Sequence, residues 1–278
     1  MAGMAPMQKD KDFLARPRPW QKQDEDTCPV NDKRRIWIEE RMLWLSDQFG
    51  RQTALAELAI PGPAFYPRDY RPTPEAIREL VRRVEAVMGV EPDRITVELF
   101  DGSQAAKDEP KRHFDTKRAV GHYRRRGSDE YIDIDVSEAD DPAVLTAIIA
   151  HELAHARLIG EGRCSASGPE NEELTDLATV FLRMGIFVAN ASITFKPTTR
   201  GWSAEPLGEL SERSLLGSGD FHYNHFGYLE EPEYGYAFAC LCGIRREQDP
   251  SWAVHLDPTL RVLLRRSLGY FRKLAQAS

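Results

Sequence analysis

The stretch from Asp141 to Leu158 leaves the chain few folds to choose from. Asp141-Pro142 reads as a helix cap followed by a first-turn proline, and Gly160 marks the stop. Leu145, Ile148 and Ile149 give this helix a side that other elements must cover. On the same helix His151 and His155 stand four residues apart, one turn up a single face, with Glu152 at the edge of that face. A helix bathed in solvent does not normally set two imidazoles and a carboxylate among so many apolar neighbours.

What covers that helix is set by a change of hydrophobic period. RRIWIEERMLWLSDQF (34–49) spaces Ile36, Ile38, Met42, Leu43, Leu45 and Phe49 as a helix does. Thr73 caps another helix with Pro74 in its first turn, running through Ile77, Leu80, Val81, Val84 and Met88 to Gly89. RITVELF (94–100) and YIDIDV (131–136) then alternate apolar with polar residues. Between them AVGHYRRR (119–126), followed by Gly127-Ser128-Asp129, reads as a strand and hairpin turn. Beyond Leu158 the chain is mostly helical. One helix starts near Pro169 and carries Leu174, Leu177, Phe181, Leu182 and Ile186; residues 193–225 are irregular; two more helices span 232–246 and 257–275.

These patterns predict an α+β fold. A small antiparallel meander of about three strands packs on the helix of His151, one face covered by the helix before it, with a mainly helical part following. Residues 1–30 alternate charges with Pro and Gln and read as a flexible tail. Residues 31–278 form one unit, with an α/β part over 31–160 and a helical part over 161–278.

Composition narrows the function classes. With 37 Lys+Arg against 44 Asp+Glu the net charge is −7, so nothing in bulk attracts polyphosphate. Arg124-Arg125-Arg126 abuts a turn and reads as a solvated hairpin tip, so no nucleic-acid partner is expected. No run of eighteen apolar residues predicts a membrane span, and the N-terminus has no apolar stretch of signal-peptide length. Four cysteines (Cys28, Cys164, Cys240 and Cys242) supply no disulfide framework, and Cys240 and Cys242 on one helix read as buried thiols. A cytoplasmic protein is expected.

The chemistry lies in His151-Glu152-Leu153-Ala154-His155. Two neutral imidazoles a turn apart can bind one zinc ion without cancelling its charge, and Glu152 is placed to take a proton from a zinc-activated water. A third ligand is expected on the next helix, where Glu172 and Asp176 lie four residues apart. In such a pair one carboxylate binds metal while the other, a turn on, fixes a ligand histidine. Glu172 is the expected ligand, with Asp176 or Glu173 as alternatives; a helix N-terminus attracts acidic residues in any case, which accounts for Glu170 and Glu173. Two histidines and one carboxylate leave a fourth position open, the pattern of a catalytic site. A helper for a developing oxyanion is sought among His222, Tyr223, His225, Tyr228, Tyr234, Tyr236 and His255.

HELAH followed by ENEELTD resembles the gluzincin group of zinc metallopeptidases, in which a later helix carries Glu-x-x-x-Asp. The resemblance implies a zincin-like fold, zinc on His151, His155 and Glu172, Glu152 as general base, and Asp176 behind a ligand. WIEERMLWLSDQFG, MGVEPDRITVELFDG, HELAHARLIGEGR with ENEELTDLATVFLRMGIFVANA, and GYLEEPEYGYAFA together resemble a family of uncharacterised bacterial proteins, over most of the chain. In zincins a peptide commonly lies as an extra strand along the sheet edge above the motif helix, and 131–136 is the expected edge. The expected function is a zinc-dependent metallopeptidase acting on a peptide or protein. The alternative is a catalytically silent zinc-binding module that holds a protein partner.

Overall fold

The computed structural model describes residues 27–66, 68–100, 121–136, 139–193 and 228–277. The expected irregular stretch and its candidates His222, Tyr223 and His225 lie outside these, as do residues 1–26 of the expected tail. Thr27–Val30 do not extend a free tail: Cys28 and Val30 pack on the core, and Arg266 donates to the Thr27 carbonyl at 3.0 Å.

Helix α1 is Asp32–Phe49, opened by Asn31, whose side chain accepts from the Arg34 amide at 3.0 Å. Its core stripe is Ile38, Met42 and Leu45; Ile36 and Leu43, although at helical spacing, face solvent. A short α2 (Arg51–Leu55) follows. Helix α3 (Pro74–Met88) begins and ends as the sequence predicts: the Thr73 hydroxyl accepts from the Ala76 amide, and Gly89 closes the helix at φ 69°.

The strands are β1 (Ile95–Phe100), β2 (Gly121–Arg126) and β3 (Asp129–Asp135). Their order, β1-β3-β2, corrects the expected antiparallel meander. β2 and β3 form the hairpin, with Tyr123 opposite Ile132, but β1 pairs parallel with β3, Val97 opposite Ile132. The sheet is mixed, and the 131–136 stretch belongs to its central strand; β2 is an edge. The physical reason is that alternation reports only which face of a strand is buried. Ile132 and Ile134, both fully buried, would read the same on an edge or in the middle.

Helix α4 (Pro142–His155) is capped by Asp141, whose carboxylate accepts from the amides of Ala143 and Val144 at 2.8 and 3.3 Å. It packs against α3, β2 and β3 on one side and, on the other, α5 (Asn171–Phe181) and α6 (Gly185–Ile193). The helix that packs on β2 and β3 is α4, with α3 packed in turn on α4, so the expected cover of the sheet by the preceding helix falls to α4. Surrounded this way, Leu145, Ile149, Ala150, Leu153 and Ala154 are fully buried. Pro142–Gly160 is long and apolar enough to cross a membrane by length and composition alone, but 72% of that stretch is buried inside the protein, as befits a central helix. Past His155 the helix widens into a π turn, Ala156–Gly160.

Helices α7 (Glu231–Arg245) and α8 (Pro258–Ala277) pack on each other, and α7 also packs on α1 and α5. Cys240 and Cys242 on α7 are free thiols, and burial pushes Cys242 up to about 12, as the buried-thiol reading expects. The basic run on β2 is not wholly solvated. Arg124 pairs with Asp133 at 2.7 Å and with Glu98, and its guanidinium lies 4.3 Å over the Tyr131 ring.

α1 fixes the orientation of α5. Trp37 Nε1 donates to Glu170 at 2.7 Å, Arg41 pairs with Glu170 at 3.1 Å, and Arg34 joins Glu173 at 3.1 Å to buried Glu233 of α7. Two of the four acidic residues at the start of α5 are thus drawn toward α1. Glu172 and Asp176, at helical offset from them, turn toward α4.

Candidate metal centre

Helices α4 and α5 bring His151, His155 and Glu172 together. His151 Nε2 lies 3.2 Å and His155 Nε2 3.3 Å from the same oxygen, Glu172 Oε2. One ligand atom from each of the three lies within 4.8 Å of the others. Ligand atoms about 2.0–2.1 Å from a tetrahedral zinc ion sit about 3.4 Å apart, so the two nitrogen–oxygen separations match edges of such a shell. Glu173, one alternative ligand, pairs with Arg34 instead.

Asp176, the other alternative, stands behind the candidate ligands. It is fully buried, and its Oδ1 accepts from His151 Nδ1 at 2.9 Å. Its Oδ2 accepts from the backbone amides of Tyr228 and of Leu229, the latter at 3.1 Å. Thr175, which no sequence pattern singled out, lies 3.2 Å from His155 Nδ1 through its hydroxyl. Both imidazoles therefore use Nδ1 on α5 and turn Nε2 to one point. The signal available was a second four-residue pair, Asn171 with Thr175, running beside Glu172 with Asp176.

Glu152 is 7% exposed, and its Oε2 accepts from the Tyr123 amide of the edge strand β2 at 2.7 Å. β2 can come this close because it begins with glycine: a Cβ at Gly121 would lie 2.7 Å from Ile148 Cγ2 and 2.9 Å from Glu152 Cγ. The Tyr123 ring stacks on His155 (centroids 6.3 Å, planes 17° apart) and the Tyr228 ring on His151 (5.8 Å, 22°). Burial and the Glu172, Asp176 and Glu152 carboxylates push the Tyr228 phenol up, so it keeps its proton at neutral pH.

The remaining described candidates for an oxyanion helper lie on α7 and on the turn before α8. Tyr234 is fully buried on α7, Tyr236 donates to Glu39 at 2.6 Å, and His255 is exposed on the 3-10 turn Ser251–His255, its carbonyl accepting from Asn190.

The electrostatics suit a cation. Burial alone would lower the His151 pKa, but the hydrogen bonds to Asp176 and Glu172 outweigh it and hold the ring up at about 10. Burial would raise Glu172, yet its bonds to His151 and His155 hold it well below the usual carboxylate range. In the metal-free protein at neutral pH a His151 cation therefore sits where a metal would. Its stabilising contribution is complete below the unfolded value of 6.5 and is lost as pH rises through about 10. Metal binding requires the neutral ring, so a proton must leave. Zinc affinity is expected to rise with pH, by up to about tenfold per unit between pH 6.5 and 8.5, with proton release. Titration calorimetry in buffers of different ionisation enthalpy reads both; a pH-independent affinity without proton release would contradict the assignment.

Comparison with protein-family models, with curated proteins and with solved structures finds no match to this chain.

Proposed function

We propose that the protein is a zinc-dependent hydrolase of zincin-like fold, a metallopeptidase that cleaves a peptide or amide bond. The observation that carries this reading is the convergence of two Nε2 atoms on Glu172 Oε2 with Glu152 beside them. The donor set fits the ion: two imidazole nitrogens, 3.2 and 3.3 Å from one carboxylate oxygen, with both Nδ1 atoms already engaged. A zinc ion held there supplies Lewis acidity, which acidifies water and polarises a carbonyl.

The chain's own groups do the rest. His151, His155 and Glu172 hold the ion. Glu152, its Oε2 held by the Tyr123 amide, takes the proton of the attacking water on its carboxylate and hands it to the leaving nitrogen. Tyr228, stacked over His151 with its phenol protonated, is the described candidate positioned to donate to a developing oxyanion. If a substrate peptide adds to the sheet as in zincins, it does so on β2, the edge against α4, and not on 131–136.

Purified without chelator, the protein should carry close to one zinc per chain and cleave members of a peptide library, with cleavage lost on metal removal and restored by zinc. Metal analysis finding no stoichiometric zinc, and none taken up on addition, would end this reading.

A further inference from the structure

We infer that Thr175 is a positioning residue that selects the metal-binding tautomer of His155; the inference rests on the zinc reading above. A threonine hydroxyl has one proton and two lone pairs. Here the proton is committed: Oγ1 donates to the Asn171 carbonyl one turn back on α5, at 2.7 Å. Thr175 is 1% exposed, so its hydroxyl is kept from bulk water. What the hydroxyl can offer His155 Nδ1, 3.2 Å away, is a lone pair, and Nδ1 must supply the proton.

That choice has a consequence at the other nitrogen. A neutral imidazole protonated at Nδ1 has its free lone pair on Nε2, and His155 Nε2 is the atom that faces Glu172 at 3.3 Å. Were the threonine to donate instead, the proton would move to Nε2 and point into the ion's place. The backbone carbonyl of Asn171 thus fixes a tautomer two bonds further on. His151 receives the same instruction from Asp176, but from a full negative charge. The two ligands are therefore oriented alike and polarised unequally, one by a carboxylate and one by a hydroxyl that adds no charge to the site.

The test compares Thr175→Val, which keeps the shape and removes the hydroxyl, with Thr175→Ser, which keeps the hydroxyl. Zinc affinity is measured by competition with a chromophoric chelator. Thr175→Val should bind about 10–100-fold more weakly than wild type, the usual effect of losing a partner behind a ligand, and Thr175→Ser within a few-fold. The unfolding midpoints of the metal-free forms should stay close together, which separates positioning from a general loss of structure. In zinc-loaded wild-type protein, proton–nitrogen correlation of the imidazoles should find His155 protonated at Nδ1, a reading that holds even if Thr175→Val does not fold. Wild-type affinity in Thr175→Val, or an unprotonated His155 Nδ1, overturns this inference alone. A wild type that takes up no zinc overturns the zinc reading and this inference with it.

Discussion

Replacing Glu152 by glutamine is expected to leave the fold and the zinc content unchanged while lowering peptide hydrolysis by about 10²–10⁴-fold, the usual contribution of a general base. The substitution is close to isosteric. The Tyr123 amide, 2.7 Å from Glu152 Oε2, needs an acceptor, and the glutamine carbonyl oxygen supplies one. Gly121 and Ile148, which crowd this side chain, see no change of volume. What disappears is the ability to accept and return a proton. The loss should fall on kcat, with KM little altered, because the carboxylate is required when the proton moves and not when the substrate binds.

Zinc analysis of the same preparation guards against a trivial outcome, since His151, His155 and Glu172 are untouched. A Glu152→Gln protein that cleaves as fast as wild type would remove Glu152 from the mechanism. A zinc-loaded wild type that cleaves nothing would favour the silent zinc-binding module instead.

Several helix starts were legible in the sequence because they depend on neighbours along the chain, whereas the break at 182–184, where Arg183 takes φ 74° and the single helix expected through Ile186 divides into α5 and α6, was not. Thr73 with Pro74 and Asp141 with Pro142 satisfy amides two or three residues ahead, and no tertiary contact is needed to recognise them. The pairing of His151 with His155 was legible for the same reason: spacing on one helix is geometry fixed by 3.6 residues per turn. Choosing Glu172 among four acidic residues required more. Local sequence gives the angular offsets on α5, but the direction of the helix is set by Trp37, Arg34 and Arg41 of α1, more than a hundred residues away. Long-range pairing of this kind leaves no periodic trace.

Strand order is the plainest case. β1 and β3 are parallel neighbours with β2 at the edge, although β2 lies between them in sequence. Alternation in YIDIDV is equally compatible with an edge and a centre, so the expectation of an edge at 131–136 followed from chain order alone. Thr175 was hidden for a different reason. A threonine inside a helix ordinarily spends its hydroxyl on the carbonyl four residues back, and Thr175 does so. Its second contact, to His155, exists only because α4 crosses α5 at that level.

Asp176→Asn should produce the other large effect, on metal affinity and stability together, although it changes one atom. The native carboxylate accepts on both oxygens: Oδ1 from His151 Nδ1, and Oδ2 from the Tyr228 and Leu229 amides. An asparagine has one acceptor oxygen and one NH₂ group that can only donate. If its oxygen serves His151, the NH₂ faces two backbone N–H groups, and the Tyr228–Leu229 turn loses its anchor over His151. If its oxygen serves those amides, the NH₂ faces His151 Nδ1. The ring must then accept there and carry its proton on Nε2, the atom meant for the ion. The first rotamer leaves buried donors unpaired where water does not reach, since Asp176 is fully buried, and the second pairs them but puts the His151 proton on Nε2, toward Glu172. Each buried donor left unpaired costs about 1–3 kcal/mol, so the two amides of the first rotamer set an upper bound of about 2–6 kcal/mol on the stability loss. Zinc affinity should fall about 10–100-fold. Denaturant unfolding of the metal-free protein and chelator competition on the loaded one measure the two separately. Native values in both would mean that Asp176 neither orients His151 nor anchors the 228–229 turn.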